Sequence, residues 1–128
     1  MQSTATDMIV VSTIAGVREA VANARANARL NGVGAFVTVV HAADLHAPEL
    51  IKRAPFDLAM ANILLRPLQK LAAPVARQLM PNARMILSGL LAAQQNAALA
   101  AYRSQGLVLE RSFALDGWVT PVMVALSA

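Results

Sequence analysis

The sequence contains no cysteine. That excludes a disulfide framework, a thiolate zinc site and a cysteine nucleophile. Aromatic residues make up only 4%, so any core is built from Ala, Val, Leu, Ile and Met. The same scarcity removes the stacking platform that single-stranded nucleic acid requires. Histidine is nearly absent: His41 and His46 stand five apart, with Asp44 the one acidic partner near them. No metal site is expected from such a set. A basic leader is also missing. The first seventeen residues hold no Lys or Arg, and Asp7 stands where a secretory n-region would be positive. The longest uncharged stretch, Met85 to Tyr102, is interrupted by Ser88, Gly89, Gln94, Gln95 and Asn96. It reads as strand, turn and helix rather than as a membrane span. These absences place the chain, by expectation, in the cytoplasm and away from membranes.

What is present points to a folded chain. Of 128 residues, 57% are hydrophobic and 14% charged, and the mean hydropathy is +0.52. A disordered tail is excluded, because there is ample apolar surface to offset chain entropy. Eleven Lys and Arg against seven Asp and Glu give a net charge of +4. The basic residues are scattered, with no cluster longer than Lys52-Arg53. Dispersed charge reads as a solvated surface, and a nucleic-acid partner is not expected.

Periodicity yields an alternating series. Met8–Ser12 is a short β-branched run with both faces apolar, as in a buried parallel strand. A helical pattern follows from Gly16 to Asn31, with Val17, Val21, Ala24 and Ala28 on one face and Arg18, Arg25 and Arg29 on another. Asn31-Gly32 stops it. Phe36–Val40 is a second strand, Pro48–Arg53 a short helix, and Phe56–Ala61 a third strand ending at Asn62. Pro67 opens a helix whose stripe is Leu68, Leu71, Val75 and Leu79, with Pro74 inside and Pro81-Asn82 closing it. Arg84–Leu87 is a fourth strand, and Ala92–Gln105 an alanine-rich helix stopped by Gly106. Leu107–Leu115 and Trp118–Leu126 flank Asp116-Gly117, a strong hairpin signal. Pro121 in the last strand predicts an edge or a bulge there. Strands separated by helices imply parallel pairing, and the closing hairpin adds an antiparallel strand. The expectation is one α/β domain over residues 1–128.

In an open parallel sheet, ligands bind beyond the carboxyl ends of the strands. That rule selects Ser12–Gly16, His41–Asp44, Ala61–Leu64 and Ser88–Leu90. Within them, Asp44 can accept a hydrogen bond from an exocyclic amine, and Asn62 carries both a donor and an acceptor. Asp44 equally suits a helix cap, and Asn62 a turn.

Three segments carry a family resemblance. Asn23 to Val33 (NARANARLNGV) resembles a helix end of class I S-adenosylmethionine-dependent methyltransferases. Phe56 to Leu64 (FDLAMANIL) is similar to a strand of theirs. Leu71-Ala72-Ala73-Pro74 and Leu79 to Leu91 (LMPNARMILSGLL) match the helix and strand that follow. Asn62-Ile63-Leu64, in place of an Asn/Asp-Pro-Pro-Tyr tetrapeptide, resembles the branch that modifies ribosomal protein L11 at lysines and the N-terminal amine. Gly117-Trp118-Val119 suits that branch's final hairpin. The resemblance spans about residues 20–126.

It implies a Rossmann-like, three-layer sandwich with a mostly parallel sheet, S-adenosylmethionine as cofactor and a ribosomal protein as substrate. It places Asn62 by the methionine part of the cofactor and the incoming amine, its carbonyl orienting the amine lone pair. Asp44, with Ala43 beside it, would contact the adenine amine, and Ile63 and Leu64 would line the pocket. Two features depart from the family. No segment matches the glycine-rich loop that follows the usual first strand, so the fold is expected to lack that strand. The position of the ribose-binding acid falls on Ala15 or Val17, or on Thr13 after a shift. The chain therefore resembles a C-terminal part of such an enzyme, with an open sheet edge through which two copies could pair. The alternative is a catalytically inactive, methyltransferase-like interaction domain.

Overall fold

The computed structural model describes residues 8–12, 17–32, 34–41, 45 and 48–126. The chain divides into two compact units, Met1–Lys52 and Arg53–Ala128. In the first, β1 (Met8–Ser12) pairs in parallel with β2 (Val37–His41), Met8 opposite Val37 and Ser12 opposite His41. Between them lies α1 (Val17–Leu30). Along α1, Ala24 and Ala28 are half-buried while Arg25 and Arg29 are exposed, the division expected from their spacing. The stop is made by Asn31 and Gly32. The Asn31 backbone N–H and its Nδ2 both donate to the Asn27 carbonyl, at 3.0 and 2.8 Å. Gly32 takes φ +72°, which a residue without Cβ adopts at little cost. A 3-10 turn over Gly34–Phe36 precedes β2, so Phe36 lies outside the strand. Helix α2 (Pro48–Arg53) ends across the boundary between the two units.

The second unit is built on a five-stranded sheet. Its members are β3 (Phe56–Asn62), β4 (Leu79–Ser88), β5 (Leu90–Leu91), β6 (Leu107–Leu115) and β7 (Trp118–Ala125). β3 pairs in parallel with β4, and β7 pairs antiparallel with β4, β5 and β6. The two crossover pairs, β1 with β2 and β3 with β4, are parallel as the alternating pattern requires. Antiparallel pairings nevertheless outnumber parallel ones in this sheet, against the expectation of a mostly parallel one. The cause is β7: it returns from the hairpin and inserts between β4 and β6, so every strand it meets runs the other way.

α3 (Leu65–Arg77) and α4 (Gln95–Arg103) supply the helical side of the core. Alternate residues of the strands are buried with them: Ala83, Met85 and Leu87 from β4, and Val119, Met123 and Ala125 from β7. From the helices come Leu68, Ala72 and Val75, then Ala98, Leu99 and Tyr102.

Further boundaries differ from the sequence reading, two through strand pairing and one through a local hydrogen bond. Leu79 continues the α3 stripe in period but begins β4. The helix closes at Gln78, whose carbonyl accepts the Phe56 N–H at 2.7 Å, and Leu79 pairs with Phe56. Pro81-Asn82 does not end the segment. Asn82 sits at φ +67° inside β4, within the register shift between Phe56 and Leu58. The last helix starts with a 3-10 turn at Ala92–Gln94, where the Leu91 N–H donates to Gln94 Oε1 at 2.9 Å. The hairpin is as expected. Asp116 and Gly117 take φ +52° and +82°, the two positive values of a type I′ turn. Pro121 lies in an interior strand rather than at an edge. Its neighbours explain this: β5 pairs with β7 at Trp118 and Val119, and β4 at residues 122–124. Pro121 is opposite Ser112 on the β6 side and falls in the gap between those two pairings on the other, the side where a missing N–H meets no partner strand.

Candidate active site

The parallel pair β3–β4 places two strand tips side by side. Asn62, last in β3, is in register with Ser88, last in β4. Asn62 is exposed, Ser88 and Ile63 half-buried, and Leu64 is 78% exposed. The chain then runs directly into α3, whose Leu68 N–H donates to the Leu64 carbonyl at 3.0 Å. Asn62, Ile63 and Leu64 therefore occupy the turn from strand tip to helix.

Gly89 completes this tip. It takes φ +79° as the sheet passes from β4 to β5. A Cβ at Gly89 would collide with Asn62 Oδ1 and would lie 3.5 Å from Asn62 Cγ. The Asn62 carboxamide thus occupies the space that any other residue at 89 would fill. The strand-end rule includes Gly89 within Ser88–Leu90 but gives it no role, since it belongs to no glycine-rich loop. The available signal was a glycine directly after the apolar strand Met85–Leu87, on a neighbouring tip to Asn62.

The remaining expectations fall elsewhere. Asp44 and Ala43 lie outside the described residues, as do His46, Thr13 and Ala15. His41 ends β2 and Val17 begins α1. Among the described residues, no group of three or more His, Asp or Glu could hold a metal ion. Among them also, no helix is long and apolar enough to cross a membrane.

The architecture is that of a Rossmann-like methyltransferase. It superposes on a ribosomal protein L11 methylase from Lactobacillus delbrueckii subsp. bulgaricus with a TM-score of 0.81 and 20% identity, covering 94% of this chain and 59% of that one. An RNA methyltransferase from Salinibacter ruber, solved with S-adenosyl-L-homocysteine, gives 0.65 at 16% identity, covering 94% of this chain and 66% of that one.

The family model for ribosomal protein L11 methyltransferase (PrmA) matches residues 5–125, across both compact units, and the chain belongs to that family. A ribosomal protein L11 methyltransferase from Rhodopseudomonas palustris (strain BisB5) is 50% identical over 101 residues, which is 79% of this chain and 34% of the relative. The chain spans about a third of the length of such relatives.

A methyltransferase of this fold implies S-adenosylmethionine. The described residues offer one polar group suited to such a cofactor. Asn62 offers an exposed amide at a strand tip, seated where Gly89 leaves room for it.

Proposed function

We propose that this chain forms part of an S-adenosylmethionine-dependent protein N-methyltransferase acting on the lysines and N-terminal amine of ribosomal protein L11. Both compact units are proposed to belong to one methyltransferase domain, working in the cytoplasm. The observation that carries this reading is Asn62 at the β3 tip, its amide lodged against Gly89 of the neighbouring tip. Family membership supports it. When bound, S-adenosylmethionine supplies a methyl group activated on a sulfonium, which needs only a neutral amine held in line. This chain's part is to bind and orient. Asn62 holds the amino-acid end of the cofactor near the incoming amine, Ile63 and Leu64 shape the wall, and Asp44 with Ala43 meets the adenine.

The test is calorimetry of the full 128-residue chain with S-adenosylmethionine. Binding is expected to be weak, because no acidic residue occupies positions 13, 15 or 17 to hold the ribose. Asn62→Ala should weaken it at least tenfold, the effect of losing roughly 1.4 kcal/mol of hydrogen bonding. Absence of heat at saturating cofactor leaves family membership standing and defeats the proposed activity. The same neutral positions favour the second reading, a non-catalytic interaction domain. In that case Asn62→Ala leaves the biological role untouched. In either reading a second copy of the chain is the proposed partner at the outer edge of β3.

A further inference from the structure

We propose that Gly89 is a positioning residue that fixes Asn62 as a hydrogen-bond donor toward the amino-acid carboxylate of the ligand. This rests on the proposed cofactor site. The argument begins with the direction of the carboxamide. From the point a Gly89 Cβ would occupy, Oδ1 is the nearest heavy atom and Cγ stands behind it at 3.5 Å. Nδ2 is not within 4 Å of that point. The carbonyl bond therefore aims at Gly89, and the NH2 group is turned away from it. Only a residue without a Cβ leaves this space to Oδ1.

The consequence is chemical. With its oxygen turned toward Gly89, Asn62 presents its two N–H donors away from that glycine. The residue is exposed, and no described residue receives a hydrogen bond from its side chain. Outward N–H groups select an acceptor. The amino-acid part of S-adenosylmethionine carries one in its carboxylate, and charge makes that hydrogen bond stronger than a neutral one. The outward-turned NH2 group is thereby assigned to the carboxylate. Glycine at 89 is needed twice, for φ +79° and for the space the carbonyl fills.

The test uses the full chain and two probes, S-adenosylhomocysteine and adenosine, which differ by the amino-acid part. Gly89→Ala is expected to lower affinity for S-adenosylhomocysteine at least tenfold and to leave that for adenosine unchanged. Asn62→Asp, close in shape but without donors, should lose as much as Asn62→Ala. The Asn62 Nδ2–H2 resonances, identified by their loss in Asn62→Ala, should move with S-adenosylhomocysteine and not with adenosine. Wild-type affinity in Asn62→Asp, or a Gly89→Ala variant that leaves those resonances and the affinity in place, overturns the assignment. A readout without ligand separates this from the proposed function. Gly89→Ala should lower the urea midpoint more in the wild type than in Asn62→Ala, where the collision is gone. If neither probe binds, the cofactor reading falls. The positioning claim then stands or falls on that difference in midpoint alone.

Discussion

Tyr102 shows how a single side chain can tie two helices. It is the one tyrosine of the chain, fully buried on α4, and its hydroxyl donates to the Leu68 carbonyl of α3 at 2.9 Å. Burial disfavours the phenolate and raises the phenol above its ordinary value of 10. The folded state therefore holds the neutral form. Its contribution is complete below the unfolded pKa and is lost as pH rises beyond it. Tyr102→Phe should cost about 1 kcal/mol in urea unfolding at neutral pH, the net value of one hydrogen bond. In alkali the wild type should lose stability faster than Tyr102→Phe, and phenolate absorbance should appear together with unfolding. Phenolate titrating at the ordinary value while circular dichroism stays native would sink this account.

Among the elements, the β4–β7–β6 ribbon carries a cross-link that the sequence hides. Arg84 and Val108 both stand opposite Val124, on either side of β7. The register of β6 shifts between Leu109 and Arg111, and the bulge residue Glu110 reaches across to Arg84. The guanidinium Nε and Nη2 donate to the two carboxylate oxygens at 3.0 and 2.9 Å. The hydrogen bond from Arg84 chiefly holds the Glu110 carboxyl below the ordinary range. Stability from this pair is present above the unfolded carboxylate pKa and is lost as pH falls through the lowered folded value. Glu110→Gln should depress Tm modestly at neutral pH. The gap should close in acid and at about 1 M salt, where charges are screened beyond roughly 3 Å; a gap independent of both would rule out the ion pair as its cause. The hairpin was legible because Asp116-Gly117 states its own backbone requirement. Asn62 was legible because it ends an apolar strand. The bulge at Glu110 was not, since it depends on where β7 lies. The same holds for Leu79, which fits a helical stripe by period and is claimed by Phe56 through strand pairing. Gly89 was legible as a strand-end residue, but its closeness to Asn62 was not, since that is a contact with a side chain on another strand.

For the molecule as a whole, the second unit leaves one face of its sheet with apolar margins. Residues 118, 120, 122 and 124 alternate onto one side of β7, opposite the side that buries Val119, Met123 and Ala125. Register carries that side outward to both edges. Met60 is level with Ile86, and Ile86 with Val122; Leu58 is level with Arg84. Phe113 is level with Thr120, and Leu115 with Trp118. Met60 is 68% exposed and Leu58 49%, while Leu115 and Trp118 stand at 75% and 53%. Val122, at the centre of this side, is buried, so the exposed apolar surface lies at the two margins. Among the described residues, β3 also ends the strand order of that sheet, with β4 as its one partner there. An unpaired edge with apolar side chains favours pairing with another chain, and lysine there opposes it. The wild type should therefore self-associate with rising concentration in sedimentation velocity, and the double substitution Leu58→Lys, Met60→Lys should restore a monomer. Trp118 is the one tryptophan and lies at the far margin, so its emission separates the two edges. Association through β3 leaves that emission unchanged, whereas association through the hairpin shifts it to the blue and survives the lysine pair. A wild type that stays monodisperse and monomeric at high concentration defeats both routes.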